Sequence, residues 1–531
     1  MGWVRAAALT AAVMLALVPH AAAQCEALDE RRTTNYIVPG VREFTFRSTP
    51  PGDPLAMDVF VQPGGETRPT VLVVHGGGFT SGSREAHIGQ ILELLTNAGY
   101  SWASVEYRLG GPHAIDHAVD DVSGALRYVR CHAKRLNLDG QRLAILGEDA
   151  GGEIAARVAR SNTVAGTVII GGTFDGGVET PLASPALVIH GGADREVTPD
   201  RAQRACDVTH AASSAANDGP SSARCDVTIV DGASHRSENW WPSQWGYKAR
   251  LVAWLESVVG RGGSPPPGLG PQPLRGVLGP GLHKRIVYNR QHDLTFDAWI
   301  PPGAGPHVPV LLVHGGGWEA GDRVTYISPL FRPLAEAGLA WFSIDYRLTP
   351  AATHDEQEQD VRDAIAFLRE RAGELNVDGR RLVIVGESAS GEMVARIGTE
   401  DRALAGVISF YGVYDFLPMA ASLTPRSAIT RLFGITALDA VARQRLEDHG
   451  PQSRVHRDQP PYLLVHGTAE ALWAQGQSMA ARLAKVGARH DLIRLDGAPH
   501  GMENWEGQPQ WLHYKQAVVD WIRKVSSGTT Q

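Results

Sequence analysis

Ser388 is the residue of this sequence whose surroundings best fit a nucleophile. It lies in the segment GESASG at 386–391, after the apolar run 382–385 and before a helix-like stretch. A tight turn between a strand and a helix lifts a serine out of the backbone and leaves the following N–H free for an anionic oxygen. A serine in such a turn attacks carbonyl carbons when a histidine takes its proton.

Two later residues supply the other groups that this chemistry needs. Glu470 follows an apolar run and is the candidate acid, and His500 is the candidate base. A carboxylate in this role fixes the tautomer of the imidazole and stabilises its cation. The chain order of serine, acid and histidine differs from that of the two common serine-protease folds. Asp458 and Asp496 are alternatives for the acid.

A glycine loop upstream of the serine provides candidate donors for a developing negative charge. In HGGGW at 314–318, the N–H groups of Gly316 and Gly317 can approach an anion closely because the loop lacks side chains there. The N–H of Ala389 completes the predicted oxyanion hole. His314 is expected to support the loop by hydrogen bonding. We expect this chemistry to use no cofactor and no metal.

The elements that must position these residues follow from the hydrophobic pattern. Strand-like apolar runs alternate with helix-like segments, for example 341–344 followed by 360–368. Such alternation predicts a mostly parallel sheet with helices on both faces. Loops at the carboxyl ends of the strands then carry the site.

Three further residues near the motifs are assigned mainly to structure. Asp345 and Arg347 are predicted to form a charge pair near a strand end. Trp318 is interpreted either as the floor of a substrate site or as packing.

The motifs resemble those of the α/β-hydrolase superfamily, within it the acetyl esterase, hormone-sensitive-lipase-like and bacterial feruloyl-esterase-like group. The resemblance covers most of residues 276–525. It implies a carboxylic ester hydrolase that cleaves short acyl or aryl esters, such as acetyl or feruloyl groups on polysaccharides. The motifs are HGGGW at 314–318, DYRL at 345–348, GESASG at 386–391, YGVYDF at 411–416, HGTAE at 466–470 and PHG at 499–501.

Two positions depart from the family pattern. Ser390 stands where the turn usually has a second glycine, and Glu470 stands where the acid is usually an aspartate. Ser390 is still small, and Glu470 can still orient a histidine. Neither change removes a catalytic group.

The chain contains an internal repeat. His75 and His314 are 239 residues apart, and so are Asp149 and Ser388. An ungapped register over this length indicates a duplicated domain. The predicted organisation is a first α/β-hydrolase domain at 24–260, a Gly/Pro-rich linker at 261–275 and a second such domain at 276–525.

The first domain is predicted to be catalytically degenerate. Asp149 replaces the nucleophilic serine, although Asp194 and His235 still offer an acid and a histidine. The acid follows the turn residue by 45 positions in this half and by 82 positions in the other. This half therefore lacks 37 residues, which form part of a cap in the family. We expect Asp149 to be solvated in this uncapped site. A halide or epoxide hydrolase with an aspartate nucleophile is the alternative.

The sequence also predicts export. Residues 1–23 combine Arg5 with a short apolar run and a small-residue cleavage site, as in a signal peptide. Disulfides are then the default state of the four cysteines, which lack the CxxC spacing of a zinc site. Of the three possible pairings we favour Cys206 with Cys225, which closes a local loop, and Cys25 with Cys131.

Composition limits the partners. The formal net charge of −7 is too acidic to suggest nucleic acid, and no later run is long enough for a membrane anchor. The expected partner is a small-molecule or polysaccharide-linked ester, and the protein is secreted or periplasmic; the oligomeric state is left open. Two other functions stay open: a serine peptidase of the prolyl-oligopeptidase type and a non-enzymatic binding protein.

Overall fold

The computed structural model describes most of the chain after the predicted signal peptide. The described residues are 25, 27–31, 34–47, 54–111, 113–173, 180–216, 224–240, 246–264, 270–421, 423–425 and 427–527. The signal-peptide prediction at 1–23 and the centre of the predicted linker, 265–269, lie outside these ranges. The domain boundaries therefore stay predictions.

The first half contains nine strands and five α-helices within the described ranges. Its strands are β1 (Asp29–Arg31), β2 (Arg42–Arg47), β3 (Leu55–Phe60), β4 (Arg68–Val74), β5 (Ser101–Val105), β6 (Leu138–Glu148), β7 (Gly166–Ile170), β8 (Ala186–Gly191) and β9 (Cys225–Val230). Its helices are α1 (Gly89–Asn97), α2 (Ala114–Leu136), α3 (Ala150–Ser161), α4 (Pro199–Ala216) and α5 (Tyr247–Val259).

The second half repeats this plan and adds helices before its β17. Its strands are β10 (Gln272–Pro273), β11 (Gly281–Asn289), β12 (Leu294–Ile300), β13 (Pro309–Val313), β14 (Ala340–Ile344), β15 (Val383–Glu387), β16 (Gly406–Phe410), β17 (Tyr462–Gly467) and β18 (His490–Leu495). Its helices are α6 (Phe331–Glu336), α7 (His354–Glu370), α8 (Ala389–Glu400), α9 (Ala428–Phe433), α10 (Ala440–His449), α11 (Pro451–Arg454), α12 (Trp473–Val486) and α13 (His513–Ser526).

Each half folds around its own nine-stranded sheet. The strand orders are β1-β2-β3-β5-β4-β6-β7-β8-β9 and β10-β11-β12-β14-β13-β15-β16-β17-β18. The six strands from β4 to β9 pair in parallel, as do those from β13 to β18, while β3 and β12 join them antiparallel. The predicted fold class, two mostly parallel sheets with helices, is confirmed.

The central strands of the second half account for the continuous hydrophobic runs of its sequence. Every residue of β13, β14, β15, β16 and β17 is buried. A parallel strand covered by helices on both faces must be apolar nearly throughout, which produces the continuous hydrophobic runs seen in the sequence. The turns that follow β13, β15 and β17 therefore meet at one edge of the sheet.

The extra helices of the second half form an inserted segment. Between β16 and β17 the chain makes α9, α10 and α11. In the first half, β7 and β8 are joined by residues 171–185, of which 174–179 lie outside the described ranges. We call 417–456 the inserted segment.

Both disulfides favoured from the sequence are present. Cys25 is bonded to Cys131, which lies in α2, and Cys206 of α4 is bonded to Cys225 of β9.

The two halves pack directly against each other. A single buried apolar cluster includes Leu95 of the first half and Phe331 of the second. Ion pairs surround this contact: Glu93 binds Arg323, with Oε2 2.9 Å from Nη2, and Glu85 binds Arg332 at 2.9 Å. The loop and helix that follow the glycine loop, α1 in the first half and α6 in the second, therefore form this interface.

None of the helices in the described residues is both long enough and apolar enough to cross a bilayer.

Candidate active site

Ser388 occupies a strained turn between β15 and α8. Its φ of 55° and ψ of −115° lie in a region that L-residues rarely adopt. Gly386 makes the turn possible, because a Cβ at this position would collide with the carbonyl oxygen of Ser390. The side chain of Ser390 fits the turn: its Oγ donates to the carbonyl of Val313 at 2.7 Å and accepts the N–H of Glu387 at 2.9 Å. The departure at Ser390 therefore adds hydrogen bonds to the turn.

The structure brings together the three residues that the sequence singled out. Nε2 of His500 lies 2.9 Å from Oγ of Ser388. Nδ1 of the same ring lies 2.5 Å from Oε2 of Glu470. The two contacts use opposite nitrogens, so the imidazole can accept a proton from the serine while it donates one to the carboxylate. His500 remains 43% exposed, which leaves the site open to a substrate.

Glu470 is held by two histidines. Its side chain is fully buried, and its other oxygen, Oε1, lies 3.1 Å from Nδ1 of His466. Burial favours the protonated form, but the hydrogen bonds from His466 and His500 outweigh it and lower the pKa of Glu470. The carboxylate is therefore charged when His500 needs a counter-ion. His466, the first residue of the HGTAE motif, had no assigned role in the sequence analysis.

The alternative acids lie elsewhere. Asp496 is bound to Arg494 at 2.6 Å, and its side chain is 75% exposed. Asp458 is exposed as well.

The glycine loop lies beside the serine turn. The N–H of Gly315 donates to the carboxylate of Glu387, which directly precedes Ser388. Nδ1 of His314 donates to the carbonyl of Gly315 at 2.9 Å, and the ring stacks on Tyr346. Burial lowers the pKa of His314, so its neutral ring supports the loop and carries no proton for the reaction.

The first half shows where an anion binds in such a loop. Oδ2 of Asp149 accepts the N–H groups of Gly77 and Gly78, both at 2.9 Å. These glycines correspond to Gly316 and Gly317 of the second half. The corresponding N–H groups are thus suited to hold an oxyanion next to Ser388.

Asp149 is part of a complete hydrogen-bonded relay. Its Oδ1 lies 3.1 Å from Nε2 of His235, and Nδ1 of that ring lies 2.8 Å from Oδ2 of Asp194. The Asp149 side chain is only 13% exposed, so the prediction that it would be solvated is wrong. The loop N–H groups and His235 cover it.

The electrostatics of the two relays differ. Burial opposes the charge on His235, but hydrogen bonds to Asp149 and Asp194 raise its pKa to about 9. Burial likewise opposes the charge on Asp149, yet hydrogen bonds from His235, Gly78 and Gly77 hold its pKa well below the usual range. At neutral pH this half therefore contains a carboxylate bound to an imidazolium, and His235 is not free to act as a base.

Two contacts of the candidate site come from the other half and were not predicted. Nη2 of Arg236 donates to Oδ1 of Asn504 at 2.9 Å, and Nδ2 of Asn504 donates to the carbonyl of His500 at 2.7 Å. The hydroxyl of Tyr326, whose ring lies beside Gly316, donates to Oδ1 of Asn239 at 2.5 Å. Both asparagines belong to the tripeptide ENW, which begins three residues after the histidine in each half. This tripeptide is the sequence signal for the two contacts.

The predicted pair of Asp345 and Arg347 is wrong. Arg347 binds Asp360 of α7, with Nη2 2.8 Å from Oδ1, and Asp345 accepts the Thr295 hydroxyl at 2.6 Å. The partner of Arg347 lies 13 residues later in the chain, and the partner of Asp345 lies 50 residues earlier.

Trp318 is almost fully buried beside Phe416, with ring centroids 5.7 Å apart, and its exposure of 2% fits packing.

A serine on a strained strand-to-helix turn, a hydrogen-bonded histidine and acid, and a glycine loop on a mostly parallel sheet together define an α/β-hydrolase. The BD-FAE family model matches residues 57–183 and 296–483, which is more than half of the chain. The chain belongs to this family, and both halves carry its pattern.

Individual relatives match about one half of the chain. The ethyl acetate hydrolase of Pseudomonas putida is 36% identical over 229 residues, which cover 39% of this chain and 71% of that protein. Esterase LipC of Mycobacterium tuberculosis is 27% identical over 253 residues, which cover 42% of this chain and 60% of LipC. The chain spans little more than half of the length of Mycobacterium tuberculosis esterase LipQ, at 56%.

Solved structures also match a little less than half of this chain. A truncated carbohydrate esterase from gut microbiota has a TM-score of 0.42 and 20% identity, over 48% of this chain and 100% of that one. The thermophilic carboxylesterase EstE1 from a metagenomic library has a TM-score of 0.38 and 22% identity, over 45% and 85%.

Proposed function

We propose that the second half of the chain is a carboxylic ester hydrolase with Ser388, His500 and Glu470 as its catalytic triad. The observation that carries this proposal is the continuous relay from Ser388 Oγ through His500, at 2.9 and 2.5 Å, to Glu470. The ester-hydrolase names of the relatives support the reaction class.

The geometry supports a two-step acyl transfer. His500 takes the proton of Ser388 while Oγ attacks the carbonyl carbon of the ester, and Glu470 stabilises the resulting imidazolium. The imidazolium then gives its proton to the leaving alcohol. Water, activated by His500, attacks the acyl-serine, releases the acid and restores the serine.

The oxyanion of each tetrahedral intermediate would bind the N–H groups of Gly316, Gly317 and Ala389. The carboxylate of Asp149 in the equivalent loop supports this role, because it accepts two such N–H groups at 2.9 Å. Loss of one donor of this kind typically raises the barrier by about 3 kcal/mol.

We infer that the substrate is a short acyl or aryl ester. The name of the Pseudomonas putida relative, ethyl acetate hydrolase, supports an acetyl ester of a small alcohol. Attachment of the acyl group to a polysaccharide and export of the protein, through the predicted signal peptide, belong to the same proposal. The test is to compare p-nitrophenyl esters of increasing chain length with ethyl acetate, acetylated xylan and methyl ferulate.

We infer that the first half does not hydrolyse esters. Asp149 fills the glycine loop with its own carboxylate and is paired with a protonated His235, so both the oxyanion site and the base are engaged. The alternative of a halide or epoxide hydrolase is tested by supplying haloalkanes and epoxides to the Ser388→Ala chain. Turnover that disappears in Asp149→Asn would establish a second enzyme.

A fluorophosphonate probe separates an ester hydrolase from a binding protein. The probe should attach one equivalent per chain at Ser388, because only an activated serine reacts with it. An unlabelled chain would favour the binding protein. A labelled chain that cleaves peptides after proline but no ester would favour the peptidase.

A further inference from the structure

Three possible metal ligands meet where the inserted segment touches the body of the second half. One ring nitrogen of His354, one of His449 and a carboxylate oxygen of Asp355 lie within 4.8 Å of one another. His354 and Asp355 begin α7, whose first turn is fixed by a capping box between Thr353 and Glu356. His449 is the last residue of α10.

Hydrogen bonds to groups outside the cluster occupy one nitrogen of each ring. Nε2 of His354 lies 2.8 Å from Oε2 of Glu392, and both side chains are fully buried. Nδ1 of His449 donates to the carbonyl of Arg445 at 2.7 Å. The remaining atoms are Nδ1 of His354 and Nε2 of His449. Histidines that bind metals are usually oriented by such a second contact to a carboxylate or a carbonyl.

Of the two remaining nitrogens, one is unpartnered and the other lies beside the third possible ligand. Nδ1 of His354 is buried without a hydrogen-bond partner among the described residues. Nε2 of His449 and Oδ1 of Asp355 lie 2.7 Å apart, so two possible ligand atoms are already side by side. A cation between the three side chains would satisfy all of these atoms at once.

The first half provides an internal comparison. The residue equivalent to His354 is Ile115, and the residue equivalent to Glu392 is Glu153, which binds Arg157 at 2.7 Å. The inserted segment that carries His449 has no counterpart of similar length between β7 and β8. The position of His354 and the inserted segment therefore differ together between the two halves, whereas Asp355 has an equivalent in Asp116.

We propose that His354, Asp355 and His449 bind one divalent transition-metal ion. Two imidazoles and a carboxylate are a ligand set that Zn²⁺ accepts, with water in the remaining position. Water can reach the site because the Asp355 side chain is 60% exposed. The ion would fasten α10 to α7 and stabilise the inserted segment. This site is separate from the Ser388 relay.

The test is to titrate ZnCl₂ into the untagged, chelator-treated full chain by calorimetry, with Co²⁺ absorption as a second readout. We expect one saturable site, a Co²⁺ spectrum of nitrogen and oxygen ligands, and a higher thermal midpoint with Zn²⁺. His449→Ala and Asp355→Asn should each weaken binding at least tenfold. His283→Ala is the matched control and should bind as the wild type does, because this imidazole lies at the surface and hydrogen-bonds to the carbonyl of Gly279.

Two results would overturn the proposal: no saturable site in the wild type, or His449→Ala binding as tightly as the control. His449→Ala also removes the contact with Asp355, so its thermal midpoint is measured with and without Zn²⁺. Loss of the Zn²⁺-dependent increase supports the metal site. An equal fall in both conditions, with the increase retained, means that the pair is only a structural contact.

Discussion

Ser388 and Asp149 occupy the same turn in the two halves, with nearly the same backbone: φ and ψ are 55° and −115° for the serine and 50° and −120° for the aspartate. Each side chain contacts a histidine that is bonded to a buried acid. The halves differ in what fills the glycine loop, since Asp149 binds its N–H groups with a second oxygen that serine lacks. The proposal that the first half is inactive therefore depends on one side chain, which occupies the glycine loop and the histidine together.

The largest expected difference between the halves comes from removing the side chains of Ser388 and Asp149 in separate variants. Ser388→Ala should reduce ester turnover by roughly 10⁴-fold or more, because the triad acts through its nucleophile. Asp149→Ala should leave the rate within about twofold of the wild type. Both rates are measured with p-nitrophenyl acetate on the full chain. The comparison fails if the two variants lose similar amounts of activity.

Replacing the acid should also lower the rate in the second half and leave it unchanged in the first. Glu470→Gln is expected to lower kcat by about 10³-fold, because the amide cannot stabilise the His500 cation. Asp194→Asn in the first half should leave kcat nearly unchanged. Steady-state kinetics, with circular dichroism to verify folding, make the comparison. A mild effect of Glu470→Gln together with a severe effect of Asp458→Asn or Asp496→Asn would reassign the acid.

A smaller effect should come from the contact between the halves. Arg236→Ala removes the hydrogen bond that holds Asn504, which in turn holds the His500 carbonyl. We expect kcat to fall about three- to tenfold with KM unchanged and with a shifted pH profile, because Arg236 positions His500 without touching substrate. Arg236→Lys should restore part of the rate. The control is Arg224→Ala, at a surface ion pair of the same half. A change in KM alone would contradict this role.

The smallest expected effect is a pH-dependent change in thermal stability. The pKa of His235 rises from 6.5 to about 9 on folding, so its contribution is complete below about pH 6.5 and is lost as the pH rises through 9. Asp149→Asn removes one of the two carboxylates whose hydrogen bonds and charges raise this pKa. The thermal midpoint of the wild type should therefore exceed that of the variant at pH 6 and approach it near pH 10. A difference that stays constant between these pH values would show that the pair is not an imidazolium and a carboxylate.

The sequence predicted the sheets and the candidate triad because these features are local. Buried parallel strands are apolar throughout, and Ser388, Glu470 and His500 each lie in a recognisable motif. Contacts that depend on packing could not be predicted in this way. Arg347 pairs with Asp360, which is fully buried in α7, and only the folded structure places that carboxylate beside the strand end. The second oxygen of Asp149 likewise reaches a loop 72 residues earlier.

The halves that meet in this apolar contact belong to one chain, and this link fixes the stoichiometry of the two kinds of site. If the halves were separate chains, the same surfaces could pair two serine halves or two aspartate halves, and dilution would separate them. Within one chain the partner is present at an effective concentration that does not depend on dilution. Every molecule therefore carries one serine site and one aspartate site, and Arg236 of the aspartate half remains beside His500 of the serine half.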